Sequence, residues 1–330
     1  MSATEVVPST TDLPSGEPVP SSAPVPAPKP KPFPLRALLA AAPSNIDAFL
    51  AHAQRCLQTP SGIDTVLLFL CYTSRLSASA LEATTRPAIA RSARQLLALA
   101  ASLPPSATLV FSAKALPSRG AALALALATR LRAFSALLSD ARTFLRLWGL
   151  LNMYFWARRL VLQLRSAPAG EKGEAAKTDD RVETAISWAQ LGTCVVFQAL
   201  ENGAYLSAKG VLGWSPAAQR RAGLWSARFW ASFVGIEVGR LFYESHRRAR
   251  RTRAEKFGTG SNSKTAAEVQ REEMEWGDAW RKSVARNLAW APLTVHWSLE
   301  HGLVGEMAVG ALASIPGVIQ MRDLWRRTAE

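Results

Sequence analysis

Residues 61–76 read SGIDTVLLFLCYTSRL, and this stretch decides the fold class. Ser61 and Asp64 stand three residues apart, which resembles a capping box with Asp in place of Glu and predicts the start of a helix. Apolar side chains then recur at i, i+3, i+4 and i+7 spacing, at Ile63, Val66, Leu67, Leu70 and Cys71. That spacing predicts a helix with one buried face.

The same helical spacing continues on both sides of this stretch, and strand signals are nearly absent from Leu35 onward. A second capping-box-like sequence, Ser44 to Asp47, predicts another helix start. A helix over Ala88–Leu103 would end at the two prolines that follow it. A long helix is expected from about Ala121 to about Arg165. The sequence therefore predicts an all-α protein.

The second half of the chain contains segments that approach the length of a membrane span. They are Trp188–Leu206, Leu224–Tyr243 and the more interrupted Asn287–Gln320. A span needs about 20 predominantly apolar residues, so we expect a helical integral membrane protein with two to four C-terminal membrane-embedded helices. Four tryptophans near the ends of these segments are typical of an aromatic belt; they are Trp188, Trp214, Trp225 and Trp230.

Changes in composition divide the chain into six predicted regions. The first 34 residues hold half of the 20 prolines, which is typical of a disordered tail. The regions are a disordered tail at 1–34, an amphipathic helical region at 35–167, a linker at 168–182, membrane-spanning helices at 183–244, a basic cytosolic loop at 245–286, and a C-terminal membrane segment and tail at 287–330.

The charge balance favours an anionic partner. Lys and Arg number 39 against 25 Asp and Glu, for a formal net charge of +14. A phospholipid surface and a nucleic acid both fit such a balance. The run Arg247 to Arg253 follows directly on a predicted span, so the positive-inside bias places it in the cytosol. We expect head-group contacts from Arg247, Arg248, Arg250 and Arg251, with a solvated linker or a nucleic-acid patch as alternatives.

The helix at residues 88–103 has the pattern of an amphipathic helix that lies in the membrane interface. Its predicted membrane-inserting residues are Ile89, Leu96, Leu97 and Leu103, and its predicted head-group contacts are Arg91 and Arg94. A core-packing helix with a solvated basic face gives the same pattern.

Small residues recur every four positions between Leu224 and Tyr243 and end in the pair Gly235 and Gly239. Such a pair allows two helices to approach closely, within one chain or between copies, although Ala- and Gly-rich sequences also produce the pattern by chance.

No arrangement of residues predicts catalysis or a bound cofactor. The four histidines lack Cys or carboxylate partners at metal-ligand spacing, and the three cysteines form no metal motif. We therefore predict a protein that is not an enzyme, with no catalytic residues, no metal and no cofactor.

Residues 137–160, LLSDARTFLRLWGLLNMYFWARRL, closely resemble the central motif of the peroxin-eleven family of peroxisomal membrane-elongation proteins. The motif residues are Arg142, Arg146, Trp148 and Gly149. Residues 63–76 look like the N-terminal helix of the family, and residues 287–298, NLAWAPLTVHWS, are similar to the C-terminal segment of its filamentous-fungal branch.

This resemblance implies an integral protein of the peroxisomal membrane that elongates and remodels the membrane ahead of peroxisome division. It implies insertion of an amphipathic helix, which falls on residues 88–103, together with homo-oligomers and contact with a dynamin-like GTPase and its adaptor. The partners would then be phospholipid and protein, with no nucleic acid. The alternatives are a pore or metabolite channel lined by residues 287–320, and a soluble basic nucleic-acid-binding protein.

Overall fold

A computed structural model describes residues 35–102, 118–166, 174–252, 256–257 and 264–329. The predicted tail at 1–34 lies outside the described residues. Within them the chain forms helices and contains no strand, which confirms the all-α prediction. The elements are α1 (Leu35–Cys56), α2 (Pro60–Ala101), α3 (Arg119–Leu145), a 3₁₀ turn (Arg146–Trp148), α4 (Gly149–Ser166), α5 (Glu174–Ala208), α6 (Pro216–Ala249), α7 (Ala266–Trp297) and α8 (Glu306–Arg327).

Two helix starts differ from the predicted capping boxes. Residues 44–47 lie inside α1, so no helix begins there. Helix α2 begins at Pro60, and the Thr59 hydroxyl rather than that of Ser61 caps it by accepting the Gly62 N–H at 3.0 Å. The Asp64 carboxylate binds Arg142 instead of the helix start. Proline is favoured in the first turn because its missing N–H has no partner there anyway.

Helix α2 runs unbroken for 42 residues through Pro87, so the prediction of a separate helix over 88–103 was wrong. The segment is the last part of α2. A proline inside a helix removes one backbone hydrogen bond, yet packing along a neighbouring helix can hold the chain helical across it. Helix α3 packs along α2 and supplies that support.

The predicted basic loop at 245–286 is shorter than expected, because α7 begins at Ala266. Thr265 and Glu268 form a capping box, in which each side chain bonds the backbone N–H of the other residue. This signal was present in the sequence and was missed. Helix α5 likewise begins at Glu174, inside the predicted linker at 168–182.

Internal contacts divide the chain into two units, Met1–Phe49 and Leu50–Glu330. In the first unit the described part is the beginning of α1. In the second unit each helix packs on the next in a continuous order: α3 on α2, α2 on α8, α8 on α7, α7 on α6, α6 on α5, and α5 on α4. Helix α2 therefore joins an early part of the chain to the last helix.

The core lies where α2, α7 and α8 meet. It consists of Leu68, Tyr72, Leu293, Val309 and Ala313, with Trp290, Trp297, Val304 and Leu312 packed against them. Burial raises the pKa of the Tyr72 hydroxyl, which therefore stays neutral at physiological pH. The predicted segment at residues 287–320 thus consists of the end of α7 and most of α8, joined by a turn at 298–305.

Candidate functional site

A stripe of large apolar side chains lies exposed along α3 and α4. We call it the exposed stripe, and its members are Leu123, Leu127, Phe134, Leu137, Phe144, Trp148, Leu151 and Phe155. Leu123 is 72% exposed, Leu137 is 64% exposed and Trp148 is 69% exposed. Successive members are three, four or seven residues apart, so they share one side of the helix.

The opposite side of α3 is buried. Ala121, Ala128, Ser135 and Leu138 face the interior, and α2 is the neighbour of α3 there. The helix is thus divided lengthwise into a packed side of mostly small residues and an exposed side of large apolar ones. Contacts with α2 account for the packed side, whereas no described residue covers the exposed side.

Residues Arg119–Arg165 form the one helical stretch among the described residues that is long and apolar enough to cross a membrane, by length and composition. The predicted spans at Trp188–Leu206, Leu224–Tyr243 and Asn287–Gln320 do not meet that criterion. Their helices carry paired charges, such as Glu201 with Arg146 and Glu237 with Arg240. The strongest apolar segment therefore lies earlier in the chain than predicted.

The predicted membrane-inserting helix presents its residues differently from the expected pattern. Ile89 and Leu96 are half-buried, whereas Leu97 is 70% exposed. Arg91 and Arg94 are exposed, and Leu103 lies outside the described residues. The face that contains Ile89 and Leu96 is therefore partly covered.

Two substitutions separate packing from lipid contact in this segment. We expect Leu96→Glu to lower the free energy of unfolding by about 1–2 kcal/mol, because a charge would replace a half-buried side chain. Leu97→Glu should leave that free energy nearly unchanged and weaken binding to anionic vesicles. Chemical denaturation measures the free energy of unfolding of both variants, and vesicle flotation measures their binding. An equal loss of stability in both would show that Leu97 also belongs to the packed side.

The two arginines of the family-like motif hold the long helix against its neighbours. Arg142 Nε donates to Asp64 Oδ1 of α2 at 2.8 Å. Arg146 donates twice to Glu201 of α5, at 2.9 Å and 2.7 Å. Two parallel bonds of this kind fix both position and orientation. The arginine pair therefore joins the long helix to α2 on one side and to α5 on the other.

The remaining motif residues mark the 3₁₀ turn between α3 and α4. Trp148 belongs to the exposed stripe. A Cβ on Gly149 would lie 2.8 Å from the Gln198 Oε1, so a larger residue here would require the Gln198 side chain to move. Asn202 Nδ2 donates to the Leu147 carbonyl at 3.1 Å and thereby supports the turn from α5.

We expect Arg146→Gln to destabilise the protein by about 1–2 kcal/mol, because Glu201 would lose both charged hydrogen bonds while only 20% of its side chain reaches solvent. The double variant Arg146→Gln, Glu201→Gln should recover part of that loss, since the unpaired charge is removed. Urea denaturation of these two variants and of the single variant Glu201→Gln gives the coupling energy. Strictly additive losses would contradict an energetic link between the two side chains.

The basic run after α6 is partly engaged within the protein. Arg247 pairs with Glu183 of α5. Arg248 Nε donates to Glu273 at 2.9 Å, and its guanidinium lies 4.6 Å from the centre of the Trp276 ring. The hydrogen bond from Arg248 lowers the pKa of Glu273. Two of the four predicted head-group contacts therefore hold helices together.

The glycine pair predicted to pack helices does not do so within the described chain. Gly235 and Gly239 are exposed, and a Cβ on either would meet nothing within 4 Å. Close approach occurs in α8 instead. A Cβ on Gly310 would lie 2.9 Å from the Leu76 Cα of α2, and one on Gly317 would lie 3.3 Å from the Phe69 Cα. Helices α2 and α8 thus meet backbone to backbone.

The four tryptophans of the predicted aromatic belt fall into two groups. Trp230 lies in an aromatic cluster, with its ring centre 5.4 Å from that of Trp290 and 5.5 Å from that of Trp297. Its assignment to a belt was wrong, because it contributes to interior packing. Trp188, Trp214 and Trp225 are exposed, as an interfacial position requires.

No group of three or more His, Cys, Asp or Glu side chains in the described residues could hold a metal ion. Cys56, Cys71 and Cys194 are free thiols. The exposed stripe is therefore the most prominent candidate functional surface. No protein-family model, curated protein or solved structure matches this chain.

Proposed function

We propose that this protein binds a phospholipid bilayer along the exposed stripe of α3 and α4 and remodels the membrane. The stripe is the observation that supports this proposal. Eight large apolar side chains lie in register outside the core, where they would otherwise contact water. Soluble monomers rarely leave so many large apolar side chains exposed along one side of a helix. The acyl chains of a leaflet would cover it.

A position along the interface fits the stripe better than a perpendicular crossing. From Leu123 to Phe155 the stripe extends about 48 Å at 1.5 Å per residue, which exceeds the roughly 30 Å of a hydrocarbon core. A helix that lies in the interface buries one side only, as this one requires.

Exposed arginines are placed to meet phosphate groups. Arg130 lies three residues after Leu127 and four before Phe134, and Arg158 lies three residues after Phe155. Arg119 and Arg159 are also exposed. Long basic side chains can bury their stems against apolar surface and keep the charge among the head groups. Insertion of this stripe into one leaflet would enlarge that leaflet alone. Such asymmetry favours curved and tubular membranes.

The organelle and the partners rest on the motif at residues 137–160. We propose the peroxisomal membrane as the location, elongation before division as the role, and self-association and the dynamin-like fission machinery as the interactions. In this motif Arg142 and Arg146 face neighbouring helices, whereas Leu137, Phe144 and Trp148 belong to the stripe. One sequence can thus encode both attachment to the helical body and contact with lipid.

The alternatives have less support. A channel lined by residues 287–320 would need polar surface facing a water path, whereas Leu293, Val309 and Ala313 of that segment are buried in the apolar core. A nucleic-acid-binding patch at the basic run has fewer free charges than predicted, because Arg247 and Arg248 form ion pairs within the protein. Solute flux through reconstituted liposomes and binding to DNA in solution would detect either activity.

The direct test uses the purified full-length protein and vesicles of phosphatidylcholine and phosphatidylserine. We expect the protein to float with the vesicles and to draw tubules from them, visible by electron microscopy. Vesicles that stay spherical with bound protein would contradict remodelling. In cells, a tagged copy should lie on peroxisomes and lengthen them when overproduced, and a different location would contradict the organelle proposed.

A further inference from the structure

A basic cavity lies where the beginning of α2 meets α7 and the end of α8. Its volume is about 480 Å³. We call it the basic cavity, and it is lined by Ser61, Thr65, Lys282, Arg286, Gln320, Asp323, Arg326 and Arg327. Four cationic side chains thus face one carboxylate. The volume is within the range of small-molecule sites, which is roughly 300–1,000 Å³.

The single carboxylate is already neutralised. Asp323 Oδ1 accepts a hydrogen bond from Lys282 Nζ at 2.7 Å, and Lys282 also pairs with Asp278 at 2.9 Å. Within the part of the chain that the structure describes, Arg286, Arg326 and Arg327 form no salt bridge. Arg286 donates to the Ser283 hydroxyl at 3.1 Å, and Arg327 donates to the Asp323 carbonyl at 3.3 Å. Arg286 also lies near Glu237, and Arg326 near Asp278, without forming a salt bridge. The three guanidinium groups therefore keep most of their hydrogen-bond donors for a ligand.

The first turn of α2 adds to the positive potential of the cavity. Ser61 belongs to this turn and Thr65 to the next. The N-terminus of a helix carries a partial positive charge. The Thr65 hydroxyl donates to the Ser61 carbonyl at 2.8 Å, which orders the turn. The Ser61 hydroxyl is exposed and can donate to an anion.

The neighbouring cavity supplies room for the rest of a ligand. It has a volume of about 470 Å³ and shares Arg286 and Gln320 with the basic cavity. Asn287 and Gln190 contribute amides to its lining, and Trp290 and Phe233 contribute aromatic rings. Its one carboxylate, Glu237, is paired with Arg240. A ligand with phosphate groups at one end and a hydroxylated ring beyond them would meet guanidinium groups first and then amide and aromatic side chains.

We propose that the basic cavity binds a compound that carries two or more phosphate groups. Guanidinium groups form paired hydrogen bonds with phosphate oxygens, and three of them converging from two helices suit several phosphates better than one carboxylate. The head group of a phosphorylated inositol lipid and a free inositol phosphate share this chemistry. The inference does not depend on remodelling, because the cavity lies outside the exposed stripe.

The test is calorimetric titration of inositol 1,4,5-trisphosphate into the purified full-length protein in detergent. We expect saturable binding that weakens as salt increases. The double variant Arg286→Gln, Arg326→Gln should lower the affinity by about tenfold or more, because it removes two charged donors. The matched variant Arg220→Gln, Arg221→Gln removes equal charge from an exposed part of α6 and should leave the affinity unchanged.

Several outcomes would overturn the proposal. They are no heat of binding with wild-type protein, equal weakening in both double variants, and unchanged affinity in the cavity variant. Circular dichroism checks that the variants fold. If the double cavity variant does not fold, the single variant Arg327→Gln takes its place, and it should weaken binding to a smaller extent. Vesicles of phosphatidylcholine with phosphatidylinositol 4,5-bisphosphate then identify the source. Tighter binding to them than to the soluble probe indicates a lipid, and equal binding indicates a free compound.

Discussion

The full-length variant Leu137→Glu, Phe144→Glu is expected to lose at least about a hundredfold in affinity for vesicles that contain phosphatidylserine. Burial of a large apolar side chain contributes about 1.5–3 kcal/mol, so two such losses amount to roughly 3–6 kcal/mol before any cost of placing carboxylates near lipid. Both side chains are exposed in the protein, so the fold should persist. Vesicle flotation measures the affinity, and electron microscopy should show no tubules.

The matched control is Ala122→Glu, Thr129→Glu. These residues are exposed on the same helix, outside the stripe, and they add the same two negative charges. Their variant should bind vesicles with nearly the wild-type affinity. Equal loss in both variants would mean that net charge controls binding. Full binding by the stripe variant would place the membrane contact elsewhere, with the end of α2 as the next segment to test.

Gly310→Ala is expected to destabilise the protein by about 2–3 kcal/mol. The new Cβ would lie 2.9 Å from both the nitrogen and the Cα of Leu76, and backbone atoms in the middle of a packed helix cannot move away cheaply. Helices α2 and α8 would have to separate, which would loosen the core that they share with α7. Urea denaturation followed by circular dichroism measures the change in the free energy of unfolding.

Gly235→Ala provides the comparison, because it introduces the same methyl group into a helix with nothing within 4 Å. We expect a gain of about 0.5–1 kcal/mol, since alanine loses less backbone entropy than glycine in a helix interior. The two variants should therefore change stability in opposite directions. Destabilisation by Gly235→Ala in the purified protein would indicate that this glycine packs against a second copy of the chain.

The sequence was sufficient for the helical fold class and for the position of the main helices. Helical periodicity predicted α2 around residues 63–71 and one long helix at about 121–165, where the structure has α3 and α4 joined by the 3₁₀ turn at Arg146–Trp148. These elements were predictable because their apolar residues repeat locally. The exposed stripe has the same repeat, but periodicity cannot tell which apolar side of a helix faces protein and which faces outward.

Tertiary contacts account for what the sequence did not reveal. Gly310 and Gly317 are seven residues apart in α8. The four-residue spacing typical of close helix packing occurs at Gly235 and Gly239 instead, so the pattern pointed to the wrong pair. The basic run predicted that Arg247 and Arg248 are unpaired. In the structure they pair with Glu183 and Glu273, which are distant in sequence but close in space. Which arginine is paired depends on helix packing, and a single sequence does not report it.

The contact between α2 and α8 also constrains how the chain can reach its native state. Arg75 pairs with Glu306, 231 residues further along, and Gly310 seats against Leu76. Folding slows as contacts connect more distant parts of a chain, because a long loop must close before the contact forms. The core cannot be completed while α8 is still within the ribosome. Until α8 has emerged, the face of α2 that packs on α8 remains open, and chaperones that recognise apolar surfaces have time to bind the nascent protein.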